Sequence, residues 1–377
     1  MPVKITFPHA GEYYVVFKDL MTNLGFEVVV PPPTSQRTLD LGVKYAPAQA
    51  CLPFKITLGN LIEGIEKGAD VVGMIGGKTG ICRLAYYSEM YQKILADNGY
   101  SVDLLAVKVK KEFWDNLKKH QPELTFRQFI KTIRSFWRKL ILFELIREKS
   151  LELRPYEVKK GDCTRIKRSF LQELEQTTDL SALKALRHKI IKGFASIPID
   201  ENRKVIKIGL VGEFFLLIDQ FSTMNMEEFL GNNGILLKYS LSFSEFFIGS
   251  LKQKRFLDKY LPTHNHKVYQ FAKEYITRPI GGHGRETIGE AVVFRQKGYD
   301  GVIHLYPFSC MPEVVAGSIT SKVSVDWQIP ILSICMDEHT GQAGFQTRLE
   351  AFTDMIKRKK FMPPQNENDI VHLEVSQ

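Results

Sequence analysis

The chain has 377 residues, 44% of them hydrophobic and 25% charged, the balance of a soluble globular protein long enough for two domains. Its 51 Lys and Arg against 42 Asp and Glu leave a net charge of +9, which suits phosphate-bearing partners, and no run of 18 apolar residues marks a membrane span. Five widely scattered cysteines, an odd number, argue against structural disulfides and leave buried thiols, reactive thiols, or metal and cluster ligands.

The opening Met1-Pro2-Val3-Lys4-Ile5-Thr6-Phe7 lacks the basic and apolar stretches of a signal peptide, so a first strand and a cytoplasmic protein are expected. Glu12 to Leu24 reads as a helix ended by Gly25. Phe26 to Val30 is a β-branched strand stopped by Pro31-Pro32-Pro33. A loop to Gln49 follows, then a helix from about Leu52 to Lys67 closed by Gly68. The apolar run Asp70 to Ile75 has the pattern of a buried parallel strand. After the Gly76-Gly77-Lys78-Thr79-Gly80 loop come a helix from about Arg83 to Asn98 and a strand from Val102 to Val107.

From about Lys110 to Ile197 the sequence is helical and highly charged, with Trp114, Phe129, Phe136 and Trp137 on an apolar side. Its excess of Lys and Arg reads first as a solvated face. Cys163 falls there in a polar turn and reads as a surface thiol. The strand–helix pattern then restarts. Strands are expected at Val205 to Val211, Gly234 to Lys238, Asp300 to Leu305 and Ile331 to Ile334. Helices are expected at Phe214 to Leu230, Ser242 to Ile276 and Glu286 to Lys297. A short helix follows Pro312, and a last one runs from Phe345 to Lys357.

These elements predict an α/β protein of two similar doubly wound, mostly parallel-sheet domains with a helical insertion between them. The expected bounds are 1–108 for the N-terminal domain, 109–200 for the charged insertion, 201–362 for the C-terminal domain and 363–377 for a frayed tail. Both domains introduce a central strand by Gly-x-Asp, at Gly68-Ala69-Asp70 and at Gly298-Tyr299-Asp300.

Ligands of open parallel sheets bind beyond the carboxyl ends of the strands. Cys82 and Cys310 fall in matching loops there, Cys51 immediately precedes a helix, and Cys335 ends a strand. A helix N-terminus favours a thiolate. Cys51 and Cys82 are 31 residues apart, and Cys82 and Cys310 are 228 apart, with no Cys-x-x-Cys pair. That spacing argues against zinc ribbons and ordinary ferredoxins. The Gly76–Gly80 loop also lacks the spacing of a phosphate-binding P-loop.

The residues around these cysteines carry a resemblance. They are Ala50-Cys51-Leu52-Pro53-Phe54-Lys55 with Gly59, Gly76-Gly77 to Cys82-Arg83, and Gly281-Gly282-His283-Gly284-Arg285-Glu286. Pro307-Phe308-Ser309-Cys310-Met311-Pro312-Glu313 and Asp337-Glu338-His339-Thr340-Gly341-Gln342 complete the set. Together they resemble the 2-hydroxyacyl-CoA dehydratase D-component superfamily, and most closely its activase-related branch. The resemblance implies a [4Fe-4S] cluster held by Cys51, Cys82 and Cys310, with one iron position left open. It also implies an ATP-hydrolysing activase as partner, which in the true dehydratases delivers one electron for reduction of a CoA thioester.

On that reading the chain is a lyase-like or reductase subunit in low-potential, anaerobic electron transfer to a CoA thioester. The alternative is a non-catalytic electron-transfer or cluster-scaffold partner of the activase. A homo- or heterodimer fits either reading, and neither a membrane nor nucleic acid is expected as partner. Cys335 reads as a buried strand-end thiol or a fourth ligand. His283 is a candidate proton donor or a loop-fixing residue. Glu313 and Glu338 are candidate acid–base groups or helix caps.

Overall fold

The computed structural model describes residues 2–75, 86–107, 111–245 and 264–362. Two four-stranded sheets organise it, every pairing in both is parallel, and helices flank them. The first sheet holds β1 (Lys4–Thr6), β2 (Glu27–Val28), β3 (Val71–Ile75) and β4 (Asp103–Val107), in the order β2-β1-β3-β4. The second holds β5 (Ile206–Gly212), β6 (Ile235–Tyr239), β7 (Gly301–Pro307) and β8 (Ile331–Met336), in the order β6-β5-β7-β8. The two orders are the same, so the second half repeats the topology of the first.

The repeated Gly-x-Asp has a structural cause. Gly68 and Gly298 end helices with φ of 93° and 75°, which a side chain would resist. The aspartates that follow pin the start of each first strand. Asp70 N–H donates to Lys4 O at 2.8 Å, and its carboxylate accepts from Lys4 N–H at 3.2 Å. Asp300 does the same to Lys207, at 2.8 and 2.7 Å.

In the first half, α1 (Tyr14–Asn23), α2 (Gln36–Tyr45), α3 (Leu52–Glu66) and α4 (Tyr87–Asp97) surround the sheet. Helix α2 lies in the stretch expected to be a loop. Its start signal is a capping box, in which Ser35 and Thr38 each meet the other's backbone, placed directly after the three prolines. It packs so closely on α3 that a Cβ on Gly42 would lie 1.9 Å from Lys55 O, and one on Gly59 1.9 Å from Thr38 O. In the second half, α11 (His264–Lys273) and α12 (Gly284–Gln296) form the matching pair, with Gly289 against Val268 O.

Between the sheets run α5 (Lys111–His120), α6 (Phe126–Leu153), α7 (Asp162–Gln176) and α8 (Leu180–Ala195). Leu117 and Leu124, in and after α5, join Ile5, Val71 and Leu105 in the core of the first sheet. Helices α6 to α8 share a separate core around Phe143, Ile146, Leu186 and Phe194, and Cys163 is fully buried within it. The expected surface thiol is therefore an interior one. Only the first residues of its motif form the turn, and Cys163 already lies in the first turn of α7, with its N–H on Glu157. Burial first, then Glu157, pushes its thiol up to about 12.

The helix expected from Phe214 to Leu230 is instead α9 (Phe214–Ile218) and α10 (Met226–Asn232). Asp219 draws the N–H and hydroxyl of Ser222 into a turn, and Met224 and Asn225 adopt left-handed backbone, breaking the run. The helix after Pro312 is longer than expected, α13 (Met311–Trp327), and the last is α14 (Gln342–Phe361). Leu39, Leu52 and Ile56 of the first half share one buried cluster with Leu216, Leu217, Met336 and Phe345 of the second, which joins the halves.

Candidate functional site

The site grows from two helix starts. Cys51 is the N-cap of α3 and Cys310 the N-cap of α13, and each is followed by x-Pro, Leu52-Pro53 and Met311-Pro312. Proline suits that first turn because its fixed φ is helical and its missing N–H has no partner there anyway. Cys51 is buried among Phe54, Met74, Tyr87 and Tyr91, while Cys310 is half-buried. Ser309 reaches the left-handed region at φ 63°, and its hydroxyl donates to Gln49 O at 2.9 Å across the two halves. The loop before Cys310 is thereby fastened to the loop before Cys51, 260 residues away in the chain.

The electrostatics tie the same groups together. Cys51 Sγ and Tyr87 Oη are hydrogen-bonded at 2.7 Å. Burial, then the charge of Cys51, pushes the Tyr87 phenol well above its ordinary range, and Glu213 adds to it. Burial likewise raises the Cys310 thiol, followed by Glu213. The N–H of Glu313 opposes the shift, and Glu313 and Cys51 reinforce it. A helix N-terminus favours a thiolate, but at Cys310 desolvation outweighs it and raises the thiol. A bound cation reverses that balance, since a coordinating thiol is deprotonated outright. Two cysteines at helix starts in different halves, one buried and one half-buried, are the donor chemistry a thiolate-ligated metal group uses.

Glu213 is a member of this site that the sequence reading missed. It caps α9 just past the carboxyl end of β5, with Oε2 accepting from Leu216 N–H at 2.9 Å. Burial lifts its carboxyl to about 7, against the N–H groups of Leu216 and Phe215 and with help from Glu313. Its only signal was a Gly-Glu step ending the first strand of the second half.

Of the expected residues, Cys51 and Cys310 follow loops that meet through the Ser309–Gln49 bond, and Cys82 lies outside the described residues, as does the Gly76–Gly80 loop. Glu313 is buried with its carboxylate turned into the second half. Oε2 meets His304 Nε2 at 3.1 Å and Thr287 Oγ1 at 2.9 Å, and Oε1 has no hydrogen-bond partner among the described residues. His283 is the N-cap of α12, its ring 6.1 Å from that of Phe214, next to Glu213. Gly282 and Gly284 let its loop press on the first turn of α13, where their Cβ atoms would meet Pro312 at 3.0 and 2.4 Å.

Glu338 pairs with Lys55 at 2.5 Å instead of capping a helix. Cys335 is exposed, not buried, because β8 is an edge strand and alternate residues face outward; partial desolvation, then Asp337, raises its thiol against the hydrogen bond with Tyr306. Among the described residues no three His, Cys, Asp or Glu side chains converge on a single-ion site.

Residues 9–74 match the family model described as "CoA enzyme activase uncharacterised domain (DUF2229)". The matched segment runs from the loop after β1 into β3 and includes Cys51, Lys55 and the α2–α3 pair. It is an activase-related sequence. No match to the chain was found among curated proteins.

Proposed function

We propose that this chain is an iron–sulfur protein of an activase-dependent system acting on CoA thioesters, and that it belongs with the D-component-like proteins it resembles. Cys51, Cys82 and Cys310 would hold a [4Fe-4S] cluster in the cleft between an N-terminal and a C-terminal domain. The observation that supports this reading is the Ser309–Gln49 bond, which fastens the loop before Cys310 to the loop before Cys51, with the family match over the Cys51 segment beside it.

The cluster would supply one-electron chemistry at low potential. The protein's own residues do the rest. Tyr87 holds the Cys51 sulfur at 2.7 Å, and the Glu313 N–H steadies Cys310. The Ser309–Gln49 and Lys55–Glu338 bonds keep the two helix starts at a fixed separation. Glu213, with a carboxyl near 7, holds a proton beside Cys310, and His283 lies at the same edge as a second proton carrier. An anaerobic, cytoplasmic setting follows from such a cluster.

Purification without air, with iron and sulfide analysis, tests the reading. About four irons per chain are expected in the wild type, with large loss in Cys51→Ala, Cys82→Ala and Cys310→Ala. Near-zero iron in the wild type sinks it. Turnover of a 2-hydroxyacyl-CoA with activase, ATP and reductant would make the chain an enzyme subunit. A reducible cluster without turnover would make it an electron-transfer partner.

A further inference from the structure

The insertion carries a pattern of charge that the cleft does not use. From Leu124 through Phe143 there are five basic residues and no acidic one, and from Leu180 through Ile199 four basic residues and again no acidic one. Two of the nine are spoken for. Lys139 is buried against Asp19 at 2.7 Å, and Lys189 pairs with Glu173 at 2.7 Å. The other seven, Arg127, Lys131, Arg134 and Arg138 on α6 and Lys184, Arg187 and Lys192 on α8, are exposed. None has an ion pair among the described residues.

Their spacing makes a line. The α6 residues recur at steps of four, three and four, which returns each to the same side of a helix and spans about 16 Å. Arg138 then donates to Leu180 O at the start of α8, at 3.5 Å. Helix α8 runs on in the same direction, since Ile199 beyond its end bridges Glu157 beyond the end of α6. Lys184 to Lys192 adds about 12 Å. Asp179, the acid at the junction, is occupied in capping α8 through Ser181 and Ala182.

The neighbours of this line decide what it fits. Ile133, Ile141 and Ile191 are exposed at 38%, 40% and 38%, so more than half of each stays covered and only part of each could enter a lipid interface. Phe126 is the most exposed of these, at 65%, beside Arg127 at one end, where an unstacked base can lie on its ring. A row of guanidinium and ammonium groups about 30 Å long matches a linear polyanion. We propose that the outer faces of α6 and α8 bind the phosphate backbone of single-stranded nucleic acid without reading its sequence. This site is independent of the cleft and its cysteines.

Fluorescence anisotropy of the full chain with a labelled oligothymidylate, titrated at 50 to 200 mM KCl, tests it. Each neutralised phosphate of a single strand adds about 0.7 to the slope of log K against log salt, so a slope of about 3 to 5 is expected. That corresponds to weakening on the order of a hundredfold over this range. The variant Arg127→Glu/Arg134→Glu should bind at least tenfold more weakly with a shallower slope. Lys67→Glu/Lys297→Glu, the same charge change at exposed sites elsewhere, should stay within about twofold of wild type. Equal melting of both variants separates binding from folding. Absence of binding at 50 mM KCl overturns the proposal, as does equal loss in the two variants. Capture by phosphatidylserine vesicles without oligonucleotide binding would also overturn it, assigning the face to a membrane surface.

Discussion

Lys55 offers the sharpest test of how the two halves are held together. It lies four residues after Cys51, and its side chain is 3% exposed. Its ammonium has two partners, Glu338 at 2.5 Å and Ala48 O at 3.2 Å. Glu338, in the other half, is 22% exposed. The consequence of breaking the pair depends on which charge is left behind. Glu338→Gln strands a buried ammonium, at a cost of about 3 kcal/mol. Lys55→Met strands a carboxylate that water can reach, at about 1 to 2 kcal/mol. Lys55→Met/Glu338→Leu strands nothing and should lie closer to wild type than Glu338→Gln does.

At about 2 to 4 °C per kcal/mol, Glu338→Gln should melt about 6 to 12 °C below wild type. Burial alone would raise the Glu338 carboxyl, but its bond to Lys55 outweighs that and holds it below the usual range. A carboxyl lowered on folding contributes above its unfolded value and loses that contribution as pH falls through the folded one. The gap between wild type and Glu338→Gln should therefore be full at pH 7 and close below about pH 4. Melting within 1 °C of wild type for Glu338→Gln, or a larger loss for Lys55→Met, would refute this account.

Three further outcomes are expected. Burial lowers His9 to about 4, so the unfolded chain takes up its proton first as pH falls. Wild type should lose up to about 3 kcal/mol between pH 6.5 and 4, and His9→Phe should flatten that limb in urea titrations. Gly59→Ala puts a methyl 1.9 Å from Thr38 O and should cost about 2 kcal/mol or more; a loss under about 0.5 would mean that α2 and α3 separate freely. Arg147 donates to Glu227 at 2.6 Å and to Leu217 O at 2.9 Å inside the protein. Arg147→Met should cost about 3 to 5 kcal/mol in chemical denaturation. Lys167, 3.8 Å from Glu227, is what would soften that loss.

Much of the scaffold was legible because parallel strands buried on both faces spell themselves as apolar runs, as Val71 to Ile75 and Gly301 to Leu305 do. Both Cys-x-Pro helix starts could also be read, since a proline at the first turn is a local signal. Helix α2 was hidden because its capping box pairs Ser35 with Thr38 in place of the usual Glu or Gln, and the prolines before it read as loop. Cys163 was misjudged because local polarity says nothing of a core assembled from α6, α7 and α8. Glu213 and Lys55 were invisible as site residues for the same reason. Their roles depend on partners that only tertiary contact supplies, Cys310 in one case and Glu338, 283 positions on, in the other.

The repeated topology also shows where to look for function. The halves agree where the scaffold needs them to, at Asp70 and Asp300, Gly68 and Gly298, and the paired helices α2–α3 and α11–α12. They differ at the carboxyl edges of the sheets. The helix before the third strand begins with Cys51 in one half and His283 in the other. The loop after the first strand carries His9 in one and Glu213 in the other. A duplicated framework has no packing reason to place different titratable groups at equivalent positions on one edge, so chemistry is the better reason. That argument bears on His283 as strongly as on the cysteines. His283→Ala should alter the spectroscopic signature of any metal group bound beside it, whatever its effect on melting. A spectrum identical to wild type would place His283 outside the chemistry, as a residue that shapes only its own loop.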